Sequence, residues 1–366
     1  MKFSTQREII LHPLQQVIGA VERRQTMPVL GNVLIEATAD ALTLTASDSE
    51  IELQATTALH VDVPGSITVP ARKMLDICRS LPEAARVDFE LDGQKVKLNS
   101  GRSRFTLATL PAAEFPKVQE ISDGQKLALR ESELNQSIQQ SAFSMAQQDV
   151  RFYLNGLLVE IGQNKLCCVA TDGHRLAYAE TETDTEPDEP VRAIVPRKSV
   201  MELARLLSDD EKSCNLLINS AFLQVNLEGV RLTTKLIDGR FPDYNRVIPI
   251  DSNKNLLVNR ESLRQSLTRA AILSNEKYKG VRLALETGVL TISSNNPEQE
   301  EAIDEQEVDY AGEAMEIGFN VSYLLDVLNT LDTENACIYL KDGNSSVLVT
   351  PEEQDNCKYV IMPMRL

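Results

Sequence analysis

The chain says nearly the same thing twice. VPARKMLDICRSL occupies residues 69–81, and VPRKSVMELARLL occupies 195–207, 126 positions later. A valine-proline pair, two basic residues and apolar side chains at helical spacing suit a helix with one buried face. One such copy is no more than a packed surface helix. Two copies at a fixed interval point to a duplicated structural unit, which narrows the possible folds sharply. A second landmark keeps the interval: Phe115-Pro116 in RSRFTLATLPAAEFP (102–116), and Phe241-Pro242 in VRLTTKLIDGRFPDY (230–244). TLTASDSEIEL (43–53) pairs with CCVATDGHRLA (167–177), placing Asp48 and Asp172 124 residues apart.

A third copy is fainter. LTISSNNPEQE (290–300) stands in the place of the Asp48 and Asp172 stretches, and FNVSYLLDVLNTL (319–331) in the place of the valine-proline helices. Ser322 is the expected N-cap there. Each copy opens on a helical segment: LHPLQQVIGAV (11–21), ESELNQSIQQSAFSMA (131–146) and RESLRQSLTRAAILS (260–274). Leu134, Ile138, Ala142 and Met145 share one helical face, as do Leu263, Leu267 and Ala270. ALTLTA (41–46), VRLALETGVLTIS (281–293) and SSVLVT (345–350) alternate with the period of strands. The 366 residues thus divide into three units, each of about 122 residues, an ordinary domain size. The polar stretches 117–127 and 248–256 supply the cuts, giving domains 1–121, 128–247 and 248–366. Each is an α+β unit, two helices on an antiparallel sheet.

Composition excludes several classes. The six cysteines (78, 167, 168, 214, 337 and 357) show no CxxC spacing and suit reduced, mostly buried thiols. His12, His60 and His174 are far apart and offer no metal-ligand spacing, so no metal or cofactor is expected. No apolar run is long enough to cross a bilayer, and His12, Pro13, Gln15 and Gln16 interrupt any leader-like start; a cytoplasmic protein is expected. A net charge of −17 would repel nucleic acid if evenly spread. The charge is segregated instead. Segments 11–24, 69–81, 131–150, 195–207, 260–280 and 319–331 hold 13 Lys or Arg against 9 Asp or Glu, leaving −21 on the remainder. The run ETETDTEPDEP (180–190) reads as a solvated, mobile loop. Mildly basic helices in an acidic body suit a protein that touches phosphates without gripping them.

Nine ordered motifs carry a resemblance. They are TVPARK (68–73), SGRSRF (100–105), QDVRFYLNG (148–156), ATDGHRL (170–176), DGRFPDY (238–244), AAILSNEK (270–277), NNPEQEEA (295–302), GFNVSYLLDVLN (318–329) and MPMRL (362–366). Together they resemble the bacterial sliding clamp family, the beta subunit of DNA polymerase III, over the whole chain. The resemblance implies three tandem DNA-clamp domains per chain and a head-to-tail homodimer. Its six domains would close a ring with helices toward duplex DNA and sheets outside. It also implies a processivity factor without chemistry of its own, working in the cytoplasm at the nucleoid. A short peptide groove would tether the DNA polymerase III alpha subunit, the clamp-loader delta subunit, other DNA polymerases, ligase and mismatch-repair proteins.

Residue by residue, the resemblance assigns DNA contact to Arg24, Arg72, Gln148, Phe152 and Tyr153, with Arg197 and Lys198 on an equivalent helix. It assigns one wall of the groove to Thr171, Gly173, His174, Arg175 and Leu176. Leu154, Pro242, Arg246, Val247, Tyr278, Asn320, Tyr323, Ser346, Val360, Met362, Pro363, Met364, Arg365 and Leu366 complete the groove. Adaptable methionine thioethers suit a surface that receives different peptides. The subunit contact would join Lys73, Arg102, Arg104, Phe105 and Leu107 to Ile272, Leu273, Glu298, Glu300 and Glu301. A basic and an acidic surface of this kind make a heterologous contact, which can close a ring. Two other readings stand beside this one. Asp172 and His174 could form the acid/base pair of a hydrolase, though no phosphate-binding loop or nucleophile motif accompanies them. The acidic body could also be a scaffold that binds proteins only.

Overall fold

The computed structural model describes residues 1–21, 27–118, 121 and 123–365; Arg24 and Leu366, both expected at binding surfaces, lie outside this set. The first repeat runs β1 (Lys2–Gln6), α1 (Arg7–Val17), β2 (Asn32–Ala37), β3 (Ala41–Ser47), β4 (Ile51–Ala58), β5 (Gly65–Pro70), α2 (Ala71–Ser80), β6 (Arg86–Asp92), β7 (Lys95–Ser100) and β8 (Ser103–Ala108). The second runs β9 (Gln125–Arg130), α3 (Glu131–Ser141), β10 (Gly156–Gly162), β11 (Lys165–Thr171), β12 (Arg175–Glu182), β13 (Val191–Pro196), α4 (Arg197–Leu206), β14 (Ser213–Ile218), β15 (Phe222–Leu227) and β16 (Val230–Lys235). The third runs β17 (Lys254–Asn259), α5 (Arg260–Ala271), β18 (Gly280–Glu286), β19 (Val289–Asn295), β20 (Glu301–Glu307), β21 (Met315–Asn320), α6 (Val321–Thr330), β22 (Asn335–Leu340), β23 (Val347–Pro351) and β24 (Cys357–Ile361). The order is the same each time: strand, helix, four strands, helix, three strands.

Every repeat splits its strands between two sheets. The first, sixth, seventh and eighth pair in one, and the fifth, second, third and fourth in the other. Successive repeats then share a sheet through their edges. β4 pairs antiparallel with β16, Leu53 opposite Leu232, and β12 pairs with β24, Ala177 opposite Tyr359. Two eight-stranded sheets result, and two four-stranded sheets remain, β1-β6-β7-β8 and β20-β19-β18-β21. The chain gathers into two compact units, 1–132 with 201–236, and 133–200 with 237–366. The division falls inside the second repeat because each unit is built around one eight-stranded sheet.

Local chemistry explains the helices. In α2, Ala71, Met74, Leu75 and Cys78 are buried at i, i+3, i+4 and i+7, while Arg72, Lys73, Asp76 and Arg79 are exposed. Pro70 is the last residue of β5 and the N-cap of α2, one position ahead of the helical turn that its fixed φ was expected to occupy. In the third copy the N-cap is Asn320 rather than Ser322: its side chain accepts the Ser322 N–H at 2.9 Å. Asn320 fills the slot that proline holds in the other two copies, so the cap moves one residue ahead of the helix. Phe3 stacks on Phe89, with centroids 4.7 Å apart, in the core of the first unit. Tyr359, Phe319 and Leu267 are buried in the second. All six cysteines are free thiols, and burial pushes Cys78 and Cys357 up to about 11, which keeps them protonated at neutral pH. The expected acidic loop is shorter than 180–190, because residues 180–182 finish β12 and Thr183 is buried, its N–H bonded to Asn164 O.

Candidate functional site

TDGHRL forms the turn between β11 and β12. Asp172 Oδ1 accepts the N–H groups of His174 (2.8 Å) and Arg175 (3.0 Å), and Oδ2 accepts Arg175 Nε (3.1 Å). Thr171 Oγ1 donates to Arg175 O (2.6 Å) and accepts from Gly173 N (3.1 Å), with Gly173 at φ +89°. The Asp172 carboxylate therefore shapes a turn and pairs with a guanidinium, so it is not a free acid or base beside His174. The hydrolase reading loses its central pair.

Arg175 is the hub of the turn. Besides Asp172, its Nη1 donates to Asp326 of α6 and its Nη2 to the Phe143 carbonyl (2.8 Å). The guanidinium carbon lies 4.5 Å from the centre of the Tyr323 ring and 5.4 Å from that of Phe143. Burial pushes the Tyr323 phenol up, and the Asp172 carboxylate acts in the same direction. Arg175 thus holds the wall in place, with little donor capacity left for a ligand. Asp326 and Phe143 share in this arrangement and were not singled out from the sequence, because their partner Arg175 is far away along the chain. Asp172 was singled out, but as an acid rather than as a turn former.

Beyond the turn lies an apolar cluster. Leu176, Val360 and Phe241 are buried with Leu158, Val169 and Ile194, and partly covered Tyr153, Tyr244, Val247 and Leu348 pack over them. Of the expected groove residues, Leu176, Val247 and Val360 come together here, and Tyr153, expected at the DNA surface, packs on the same cluster. Leu154 is only 2% exposed and belongs to the core beneath. Pro242 and Arg246 are exposed, and Arg246 pairs with Asp243 at 3.0 Å. Burial pushes the Tyr244 phenol up, and its bond to Glu160 Oε2 (2.7 Å) adds to the effect.

The tail passes alongside. β24 ends at Ile361; Met362 N then bonds to His174 O (2.9 Å) and Met364 N to Gly318 O (2.8 Å). Met362 and Arg365 are exposed, and Pro363 and Met364 half-buried. Ser346 is half-buried just ahead of β23. Tyr278 is 55% exposed in a turn whose N–H groups bond to Asn275 Oδ1.

The segment 147–153 presents Val150 and Phe152, 87% and 73% exposed. Gln148, exposed, sits at φ +56°. Asn155 fastens the segment, donating to Asp149 O (2.8 Å) and accepting Asp149 N–H (2.9 Å). Arg151 Nη2 and Nε bond to Asp149 at 2.9 and 3.0 Å. These bonds hold the Asp149 carboxyl down at about 2, aided by the Arg151 backbone N–H. The same guanidinium lies over Gly173, where a Cβ would stand 2.8 Å from Nη2. Asp149, Arg151 and Asn155 fasten this segment and were not singled out from the sequence; the D-x-R spacing was the available signal.

Among the other expected DNA contacts, Arg72 and Lys198 are exposed. Arg197 is half-buried and donates to Met145 O (3.1 Å), and burial lowers its pKa. Nη1 of its guanidinium therefore braces the end of the preceding helical segment. Of the expected subunit contacts, Lys73, Arg102, Arg104, Glu298, Glu300 and Glu301 are exposed, and Phe105 and Leu273 are half-buried. Ile272 is 76% exposed; Leu107 is 6% exposed, already covered inside its own sheet, and so offers little surface to a partner. Among the described residues, no group of three or more His, Cys, Asp or Glu could hold a metal ion, and no helix is long and apolar enough to cross a membrane.

Comparison with known proteins adds three domain matches. Residues 1–119 match the DNA polymerase III beta subunit N-terminal domain, 128–243 its central domain and 245–365 its C-terminal domain. The beta sliding clamp of Pseudomonas putida is 50% identical and that of Escherichia coli K12 47% identical, each over 100% of both chains. A crystal structure of the Pseudomonas aeruginosa sliding clamp bound to griselimycin superposes with a TM-score of 0.95 at 48% identity, covering 100% of both chains.

Proposed function

The chain belongs to the DNA polymerase III beta subunit family, and from that membership we propose that it works as a sliding clamp. It encircles duplex DNA without regard to sequence and tethers the replicative polymerase, with no catalytic chemistry of its own. One observation in the fold carries the ring. Both junctions between repeats are eight-stranded sheets made by joining the eighth strand of one repeat, β16 or β24, to the fourth strand of its neighbour, β4 or β12. β8 and β20 hold the corresponding places in repeats one and three and are outer strands of their sheets among the described residues. An exposed edge strand is a template for another chain. Joining β20 of one copy to β8 of a second, head to tail, makes a third sheet of the same kind and closes six domains into a ring.

The two existing junctions also give the register. In β4 and β12 the residues opposite Leu232 and Tyr359 are Leu53 and Ala177. By analogy with those pairings, we propose that Phe105 stands opposite Ala302, Arg104 opposite Ile303 and Thr106 opposite Glu301. Basic Lys73, Arg102 and Arg104 on one side then face acidic Glu298, Glu300 and Glu301 on the other, around Phe105, Ile272 and Leu273.

DNA contact falls to Arg24, Arg72, Gln148, Phe152, Tyr153 and Lys198, through phosphate pairing and stacking on sugars or bases. The groove beside His174, Val247 and Met362 takes short peptides of the polymerase alpha subunit, the clamp-loader delta subunit, other polymerases, ligase and mismatch-repair proteins. The protein acts in the cytoplasm, on the nucleoid. The test is topological: clamps loaded on nicked circular DNA stay bound in high salt and are lost when the circle is cut. Equal loss from circular and linear DNA would end the clamp reading, and no retention on either would favour a protein-only scaffold.

A further inference from the structure

The two junctions inside the subunit are fastened by the same three parts. Between repeats one and two, Arg205 of α4 reaches the carboxyl end of α1: Nη1 donates to Gln15 O (2.9 Å) and Nη2 to Gln16 O (2.6 Å). Glu202, one turn earlier, holds that guanidinium at 2.8–3.0 Å. Its carboxylate lies so close over Gly19 that a Cβ there would stand 1.8 Å from Oε2. Between repeats two and three, Asp326 occupies the helix position of Glu202, and Phe143 closes the first helical segment as Gly19 does. There Arg175 joins the Asp326 carboxylate to the Phe143 carbonyl.

The arginine changes element while the latch stays. β4 begins with Ile51 and α4 carries Arg205; β12 begins with Arg175 and α6 carries Asn329 at the matching position. Each junction therefore has one arginine that joins a carboxylate of the second helix to backbone carbonyl oxygen at the end of the first, and at the second junction Asp172 holds the same arginine as well. The length of the acid follows the space available: glutamate above Gly19, aspartate beside the bulky Phe143. A cation on the last carbonyls also complements the negative end of the helix dipole.

Repeat one holds the same parts without an occupant. Asp76 and Arg79 of α2 stand at the Glu202 and Arg205 positions, are exposed, and make no ion pair among the described residues. α5 ends on Ile272 at the position of Gly19 and Phe143, 76% exposed. The Arg175 position falls on Glu300, just ahead of β20, so no arginine comes from the strand, and the acid is the shorter aspartate, as a bulky helix end requires. We infer that Asp76 and Arg79 of one copy latch onto the carboxyl end of α5 in a second copy, Arg79 forking onto the carbonyls of its last turn while Asp76 packs beside Ile272. The inference rests on the head-to-tail dimer proposed above and adds two residues to its contact.

Dilution of the full-length protein without DNA, followed by sedimentation or light scattering, tests it. Arg79→Ala raises the dimer dissociation constant tenfold or more, and Asp76→Asn raises it less, because Arg79 keeps its carbonyls. Arg79→Lys recovers only part of the loss, since an ammonium lacks the planar fork. The thermal transition of the Arg79→Ala subunit stays unchanged, because the side chain is exposed within its own chain. A wild-type protein that is monomeric at every concentration would overturn the dimer itself. A wild-type dimer whose Arg79→Ala and Asp76→Asn variants dissociate within twofold of it would overturn the latch and leave the dimer standing.

Discussion

Replacing Arg175 by alanine removes the hub between the groove turn and α6. Its guanidinium, 11% exposed, serves Asp172, Asp326 and the Phe143 carbonyl and covers the Tyr323 ring. Hydrogen bonds involving a charged group are worth about 1.5–3 kcal/mol each, and a partly desolvated cation–π contact about 1 kcal/mol. Asp326 is 42% exposed and regains water once its partner is gone, and Asp172 keeps its bonds from the N–H groups of residues 174 and 175. Both shares are therefore discounted, and the Phe143 bond and the ring contact remain. The remainder comes to about 3 kcal/mol, or roughly a 150-fold change in a local opening equilibrium. Native-state amide exchange reads it directly. Peptides covering α6 and the start of β12 exchange about a hundredfold faster in Arg175→Ala, while those from β1 to β8 keep their rates. A double-mutant cycle with Asp326→Asn gives less than the sum of the two single effects, because the pair shares one bond. Exchange in α6 within threefold of wild type would refute the assignment of Arg175 as the fastener.

Other perturbations follow from the same geometry. Asp149 has its carboxyl held at about 2 by the Arg151 side chain, against about 3.9 in an unfolded chain. A depressed folded value stabilises above pH 4 and is lost as the pH falls toward 2; a carbon-detected titration of Asp149 with a midpoint near 4 would contradict it. Deleting residues 362–366 removes the Met362 and Met364 backbone bonds but no strand of the sheet, since β24 ends at Ile361; peptide binding is abolished while the dimer mass by light scattering is kept. Thr106→Cys with Glu301→Cys cross-links two copies on oxidation, whereas Arg104→Cys with Glu301→Cys, two residues out of register, does not; the reverse result would refute the register. Ile272→Ala with Leu273→Ala yields folded monomers, and an unchanged dimer mass would count against that face. Substituting Arg72 and Lys198 together by alanine flattens the salt dependence of DNA binding by about 1.8 in log–log slope, about 0.9 for each phosphate no longer neutralised.

The amino-acid sequence alone determined the threefold repeat, the α+β class and the presence of all six helical segments, because these depend on local periodicity and on landmarks at a fixed interval; the first helix, expected from Leu11, starts at Arg7. It also marked the 171–176 turn and the exposed Ile272. Tertiary structure decided which groups meet. Leu107 looks like its exposed neighbours in a strand pattern, yet its own sheet covers it. Arg197 reads as a fully open side chain, yet it is half-buried and its Nη1 donates to Met145 O. Asp172 reads as an acid beside His174, yet it holds a turn and Arg175. Residues 143, 172, 175 and 326 form one cluster although the chain separates them by up to 183 positions. Hydrogen bonds and ion pairs form between atoms a few ångströms apart, and sequence distance carries no record of which side chains folding will bring that close. The sharing of sheet edges between repeats has the same origin: strand patterning shows that an edge exists, but only the packed chain shows which edges join those of the next repeat.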